Sequence, residues 1–288
     1  MIVFFFCKNN KKNEITLALS VFFYIFVQKM KLKLKKCIIA SICIVGVLIV
    51  RQIVPYYSPA HRQDGLRMHV HDDDTIRIAY IGDSWAYGHG NMRCVIDSFL
   101  LNITGKPVEV RTAGISGLTS KNIYYGLFKN VSMRNAIEWG PDFCFVVAGI
   151  NDSDRKMGVG YYKENMKLII ELLLEQHITP IILEIPSYNI KYSFERRNRI
   201  VKLKYLVSML LTWSDMDCID EYRKAYNEFI EEQGWHDKII TIRSDDWNPD
   251  GYKDNRNLYD EGQMHLNSKG YFVLDSCIAY KIVMQLRN

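Results

Sequence analysis

From residue 76 onward the chain alternates short, β-branched, apolar runs with longer stretches of helical period, and this alternation constrains the fold more than any other feature. Residues 76–81 (IRIAYI) stop at a glycine and read as a first buried strand. Residues 108–112 (VEVRT), 141–148 (PDFCFVVA), 179–185 (TPIILEI) and 238–242 follow as further strands. Helices are predicted over 91–101, 120–130, 161–176 and 218–233, with a closing helix over 268–286. Within 161–176, Met166, Ile169, Ile170, Leu173 and Leu174 recur at the spacing of one helix face. Strands that are apolar throughout belong to a sheet covered on both faces, so this order predicts a parallel sheet between two layers of helices. Ligands of such sheets bind beyond the carboxyl ends of the strands, which directs attention to the loops that follow each strand.

The sequence before residue 76 is of a different kind. Lys29, Lys31, Lys33, Lys35 and Lys36 carry much of the net charge of +5 and precede an uncharged run, residues 37–50 (CIIASICIVGVLIV), with only Arg51 close behind. That asymmetry predicts the lysine end in the cytoplasm and the chain after Val50 outside. No zinc-finger or RNA-recognition signature accompanies the charge, so no nucleic-acid partner is expected. The run is about 14 residues, short of the roughly 20 that a span needs. Ile53, Val54, Tyr56 and Tyr57 extend it toward an interface. An uncleaved signal anchor over 30–57 is the expectation, ahead of a cleaved signal peptide and of a buried core helix. Met30 opens what reads as a complete export signal, so residues 1–29 are expected to be an extension upstream of the true start. Residues 58–75, with Pro59 and Gly65 and ending in HVHDDD, read as a solvated linker; His69, His71 and Asp72, Asp73 and Asp74 match no metal-ligand spacing. The seven cysteines include no CxxC pair, which leaves zinc-ribbon and thioredoxin readings without support.

Three strand-end loops and a late histidine carry chemistry. The first strand is followed by GDSWAYGHG, which places Ser84 at the entrance to a helix, exposed and with its own N–H available to a developing negative charge. A plain helix N-cap is the alternative. The glycines do not follow GxGxxG and GxSxG is absent, so neither a dinucleotide loop nor an α/β-hydrolase elbow is indicated. The second strand leads to AGISGLTS, where Gly117 offers an unhindered N–H or is simply a turn glycine. The third leads to GINDSD, where the neutral side-chain amide of Asn151 suits an oxyanion or caps a turn. In YDEGQMHLNSKGY, His265 precedes the last helix. An imidazole exchanges protons near neutral pH, as a base for a serine must; a surface histidine is the alternative.

In this order, GDS with Ser84, SGLTS with Gly117, GIND with Asn151 and HLNSKGY with His265 resemble the SGNH/GDSL esterase and acyltransferase superfamily over residues 76–288. The resemblance implies a flavodoxin-like three-layer α/β/α sandwich with a central parallel sheet. It implies Ser84 as nucleophile, His265 as base, and an oxyanion hole built from the Ser84 and Gly117 N–H groups and the Asn151 side chain. The reaction would pass through an acyl-serine without metal or organic cofactor. The family pattern places an aspartate three residues before the histidine. Here position 262 is glycine, and Asp260 and Glu261 stand five and four residues before His265. Asp260 is narrowly favoured and both remain open, as do a Ser–His dyad and a backbone carbonyl orienting the ring. His89 is a rival base without an evident carboxylate partner. Asp83 is expected to hold neighbouring amides and fix the turn, and Trp85, Tyr87 and Asp152 to line the pocket or pack.

The implied function is hydrolysis of short acyl esters, such as acetyl, on a carbohydrate or other small ester outside the cytoplasm, with the membrane engaged through the N-terminal anchor. Acyl transfer to a surface polysaccharide and an inactive binding module are the other readings. A lipase or thioesterase, its pocket covered by the apolar stretch 200–213, is a further one.

Overall fold

The computed structural model describes Val21, Tyr24 and residues 32–92, 94–249 and 251–287. Five strands, β1 Ile76–Gly82, β2 Val108–Gly114, β3 Phe143–Val147, β4 Thr179–Leu183 and β5 Ile240–Ile242, form one parallel sheet in the order β2-β1-β3-β4-β5. This is the flavodoxin-like order, with its reversal of winding between β1 and β3. Every residue of β1 and β3 is buried, whereas edge strand β2 alternates partly buried and exposed positions. Central strands covered on both faces favour the unbroken apolar runs seen in the sequence.

The helices, in chain order, are α1 Leu32–Tyr57, α2 Ser84–Gly90, α3 Ile96–Thr104, α4 Ser120–Lys129, α5 Val131–Glu138, α6 Ile150–Asp154 and α7 Val159–Glu175. They continue with α8 Ile190–Glu195, α9 Arg199–Thr212, α10 Ile219–Gln233, α11 Ser244–Trp247, α12 Gly251–Asp254 and α13 Ser268–Arg287. The sequence reading runs 91–101 as one helix; the chain instead makes α2 on the serine loop and starts α3 later. It also omits α5, whose start is set by the Asn130 side chain accepting the Met133 N–H at 3.0 Å.

The chain divides into two units, 1–56 and 57–288. Apart from Val21 and Tyr24, the extension expected over 1–29 lies outside the described residues. The segment 30–57, expected as a membrane-spanning anchor, does contain helix α1, but no helix among the described residues is long and apolar enough to cross a membrane.

Residues 58–75 are not the free linker expected. They lie along the 57–288 unit, tied to it by hydrogen bonds. The Ala60 N–H donates to Asn165 Oδ1 at 2.8 Å, the Gln63 N–H to the Tyr124 hydroxyl at 2.7 Å and the His69 N–H to the Glu138 carbonyl at 2.8 Å. His71 is held at the Trp139 carbonyl, 2.7 Å away.

One glycine decides how β1 delivers the serine loop. Gly82 has φ +151, and a Cβ there would stand 2.2 Å from the Val147 carbonyl oxygen. That same oxygen accepts the Asp83 N–H at 3.2 Å, so the chain leaves the sheet pressed against β3. Gly82→Ala is expected to lower the unfolding free energy by about 2 kcal/mol or more, through backbone strain and this contact. Urea denaturation checks it, and a midpoint equal to wild type would contradict the account.

Candidate active site

Ser84 is the first residue of α2, and the cap of that helix is its neighbour. Asp83 Oδ1 accepts the Trp85 N–H at 2.9 Å, which satisfies one of the helix's unpaired donors and leaves the Ser84 hydroxyl for another partner. That partner is His265, whose Nε2 lies 2.9 Å from Ser84 Oγ across 181 residues of sequence. Both residues line one cleft of about 360 Å³, together with Tyr87, Met92, Ser116 and Asp260.

The histidine loop closes on itself and absorbs its additional residue. Tyr259 and Leu266 form an antiparallel bridge. The Asp260 N–H donates to the His265 carbonyl at 2.9 Å, and the Gln263 N–H to the Asp260 carbonyl at 3.0 Å. Gln263 takes φ +52 to complete the turn. The loop thereby carries Asp260 Oδ2 to 3.7 Å from His265 Nδ1, too long for a hydrogen bond but within ion-pair reach. Glu261 is exposed and does not line the cleft. Of the two carboxylates left open by the sequence, the fold brings Asp260 to the ring.

The expected oxyanion donors are placed less directly. Asn151, in the first turn of α6, is nearly buried, and its Nδ2 donates to Asp83 Oδ2 at 3.2 Å, which sets the amide beside the residue preceding Ser84. Gly117 has φ +80, and a Cβ at its position would meet Arg155 Nη2 at 3.0 Å. Its neighbour Ser116 borders the cleft; Gly117 and Asn151 are not among the lining residues.

Buried polar ties join the loops. Asp152 accepts from the Ser120 N–H at 2.9 Å and from the Ser120 hydroxyl at 2.5 Å, so the loop after β3 is fastened to the start of α4 and thus to the loop after β2. Burial pushes the Asp83 carboxyl up to about 7, against the opposing pull of the Trp85 N–H. Burial likewise pushes Asp152 up to about 6, against the Ser120 donors. The serine loop is fastened to the histidine loop by Trp85 Nε1, which donates to the Met264 carbonyl at 3.0 Å. The Tyr271 hydroxyl of α13 donates to the Trp85 carbonyl at 2.9 Å.

These contacts revise several expectations. Asp83 does fix the turn. Tyr87 lines the cleft, while Trp85 and Asp152 are buried ties. His89 is the largest departure. It has a carboxylate after all, with its Nε2 at 2.8 Å from Asp275 Oδ1, and both side chains are buried beneath α2, paired with each other. Asp275 Oδ2 also accepts the Val95 N–H at 3.0 Å. The sequence held a signal for this pair: Asp275 interrupts a helix face otherwise made of Tyr271, Leu274, Ile278 and Ile282, all buried. Among the described residues, His89, Cys94 and Asp275 are also the one group whose ligand atoms, all within 4.8 Å of one another, have the chemistry to meet a cation.

Comparison with solved structures gives neighbours that share the fold. A lipase/acylhydrolase from Enterococcus faecalis aligns with a TM-score of 0.51 at 20% identity, covering 72% of this chain and 95% of that one. The psychrotrophic esterase EstA from Pseudoalteromonas sp. aligns with 0.51 at 15% identity, covering 75% and 100%. The acetylxylan esterase Axe2 from Geobacillus stearothermophilus aligns with 0.50 at 15% identity, covering 72% and 94%. Comparison with curated proteins gives no match. Residues 80–272 match the model of one protein family over well more than half of the chain, a span that holds the GDS, SGLTS, GIND and HLNSKGY elements. The chain therefore belongs to the GDSL-like lipase/acylhydrolase family.

Proposed function

We propose that this protein is a serine-dependent ester hydrolase that removes short acyl groups, such as acetyl, from a carbohydrate or another small ester. The single observation that carries the reading is the 2.9 Å contact between Ser84 Oγ and His265 Nε2 at the mouth of a cleft. In the reaction the Ser84 hydroxyl donates to Nε2 and loses its proton there as Oγ attacks the ester carbonyl carbon. The imidazolium so formed faces Asp260, and the positive charge draws the 3.7 Å separation toward hydrogen-bonding distance. The negative charge on the carbonyl oxygen is met by the Ser84 N–H, which as the first helical donor has no intrahelical acceptor. The Asn151 amide, with one N–H on Asp83 and a second to give, and the Gly117 N–H complete the proposed hole. Nε2 then returns the proton to the departing alkoxide, leaving an acyl-serine. A water deprotonated by His265 attacks that ester and regenerates Ser84.

Support for a short acyl group and a sugar ester is the modest cleft, bordered by Tyr87 and Met92, together with an acetylxylan esterase among the fold neighbours. We place the domain outside the cytoplasm. The lysine cluster before the uncharged run supports this, since about 14 apolar residues suit the hydrophobic region of an export signal, roughly 7–15 residues, better than a span.

Hydrolysis of p-nitrophenyl acetate is expected to exceed that of a long-chain ester. It should fall by about 10³-fold or more in Ser84→Ala and in His265→Ala. Full activity in Ser84→Ala would remove the mechanism. Asn151→Ala should lower kcat by about 10²–10³, and Asp260→Asn should lose more than Glu261→Gln; the reverse order would assign the orienting role to Glu261.

Asp83 also predicts a pH dependence of stability. Between an unfolded pKa of about 4 and the folded value of about 7, the folded protein holds a proton that the unfolded chain has released. Stability therefore falls as pH rises through that window and levels off above it. Chemical denaturation across this range should show a shallower slope in Asp83→Asn, with a residual from Asp152; an unchanged slope would place the proton elsewhere.

A further inference from the structure

Helix α9, Arg199–Thr212, is built opposite to the other helices of its unit. Only Tyr205 is buried. With 3.6 residues per turn, Tyr205, Ser208, Met209 and Thr212 share the side turned to the body of the domain, a side as polar as it is apolar. Ile200, Leu203, Leu206, Val207, Leu210 and Leu211 share the other side and are 45–69% exposed. A surface helix ordinarily turns its apolar stripe inward, and a contiguous aliphatic face left in water marks a surface that something covers.

The surroundings of this face indicate what covers it. From Arg196 through Ser214 the sequence carries Arg196, Arg197, Arg199, Lys202 and Lys204 and no acidic residue. Arg199 and Lys204 are exposed; by helical spacing Lys204 borders the aliphatic side and Arg199 stands at its first turn. Trp213 caps the helix in a left-handed conformation, φ +54, and is 83% exposed. An aliphatic face rimmed by cations, with an indole at one end, is the composition of a helix lying in the headgroup layer of an anionic bilayer. A second copy would have to pair this face with itself, and the test below separates that outcome from lipid. The 57–288 unit also begins here: the Tyr57 hydroxyl lies 2.6 Å from Ser208 Oγ.

We infer that α9 and Trp213 form a docking surface for anionic lipid membranes, holding the domain flat on a bilayer without crossing it. The surface is fixed to the rest of the domain by Arg197, which pairs with Asp154 at the end of α6, the helix that carries Asn151. Lys156 Nζ reinforces it, donating to the Met216 carbonyl at 2.6 Å just beyond α9. The inference does not depend on the chemistry proposed for the cleft.

Trp213 supplies its own probe. The other four of the five tryptophans, Trp85, Trp139, Trp235 and Trp247, are buried, so bromine on lipid acyl chains reads Trp213. The full chain is mixed with brominated vesicles of phosphatidylcholine alone or with phosphatidylglycerol. Quenching is expected on the phosphatidylglycerol vesicles, weaker quenching on phosphatidylcholine alone, and its loss in Trp213→Phe. Leu203→Asp with Leu210→Asp should abolish it at an unchanged melting temperature, since both side chains stand in solvent, and Arg199→Gln with Lys204→Gln should reduce it on the anionic vesicles alone. Emission that is the same on brominated and unbrominated vesicles would overturn the inference, whether or not the chain binds them through its N-terminal segment. So would a dimer in sedimentation that Leu203→Asp with Leu210→Asp dissolves while leaving quenching untouched.

Discussion

A serine hydroxyl and an imidazole 181 residues apart meet at 2.9 Å because α2 and α13 are bonded together beneath them. Three polar ties cross between these parts of the chain: Trp85 Nε1 to the Met264 carbonyl, the Tyr271 hydroxyl to the Trp85 carbonyl, and the His89–Asp275 pair. A hydrogen bond to a charged group or across a buried interface is short-ranged and directional, so three of them fix both the spacing and the orientation of the elements that hold them. The Ser84–His265 contact is the part-buried end of a construction whose ties from Tyr271 to Trp85 and from His89 to Asp275 are buried. The distance between the two side chains accordingly owes more to residues outside the cleft than to residues lining it.

The same loops carry two buried carboxylates, and these set a tension between stability and geometry. Asp83 caps α2 and receives Asn151; Asp152 fastens the loop after β3 to the start of α4. A carboxylate removed from water costs free energy unless donors replace the water, and the raised values of about 7 and about 6 record that the replacement is incomplete. An amide at either position would be easier to bury, but it could not accept two donors through both of its terminal atoms. The protein thus holds its three strand-end loops in register with groups that cost stability near neutral pH.

The 57–288 unit presents two surfaces of different chemistry, linked through one helix. The cleft is shaped by the loops after β1 and β2 and by the histidine loop. The aliphatic face of α9 stands beyond the loop after β3. The Arg197–Asp154 pair and the Lys156–Met216 contact make α9 continuous with the support of Asn151. Any partner that settles on α9 therefore bears on the same framework that positions the candidate oxyanion donor.

The sequence alone determined the parallel-sheet class, the five strands and the loops that carry the candidate site, because these are recorded locally. Strand runs, helical period and strand-end motifs depend on residues close in the chain, and a buried central strand such as β1 leaves an unbroken apolar signature. The tertiary structure decided what depends on distant parts meeting. That Asp260 rather than Glu261 stands near the His265 ring rests on how a closed loop with Gln263 at positive φ aims one carboxylate toward it. The burial of His89 rests on Asp275, 186 residues away. Residues 58–75 look like a linker by composition but lie on the domain because their backbone donors find Asn165, Tyr124 and Glu138. The apolar stretch 200–213 shows its period in the sequence, but only packing decides which side of the helix faces the body, and here the aliphatic side was left to solvent.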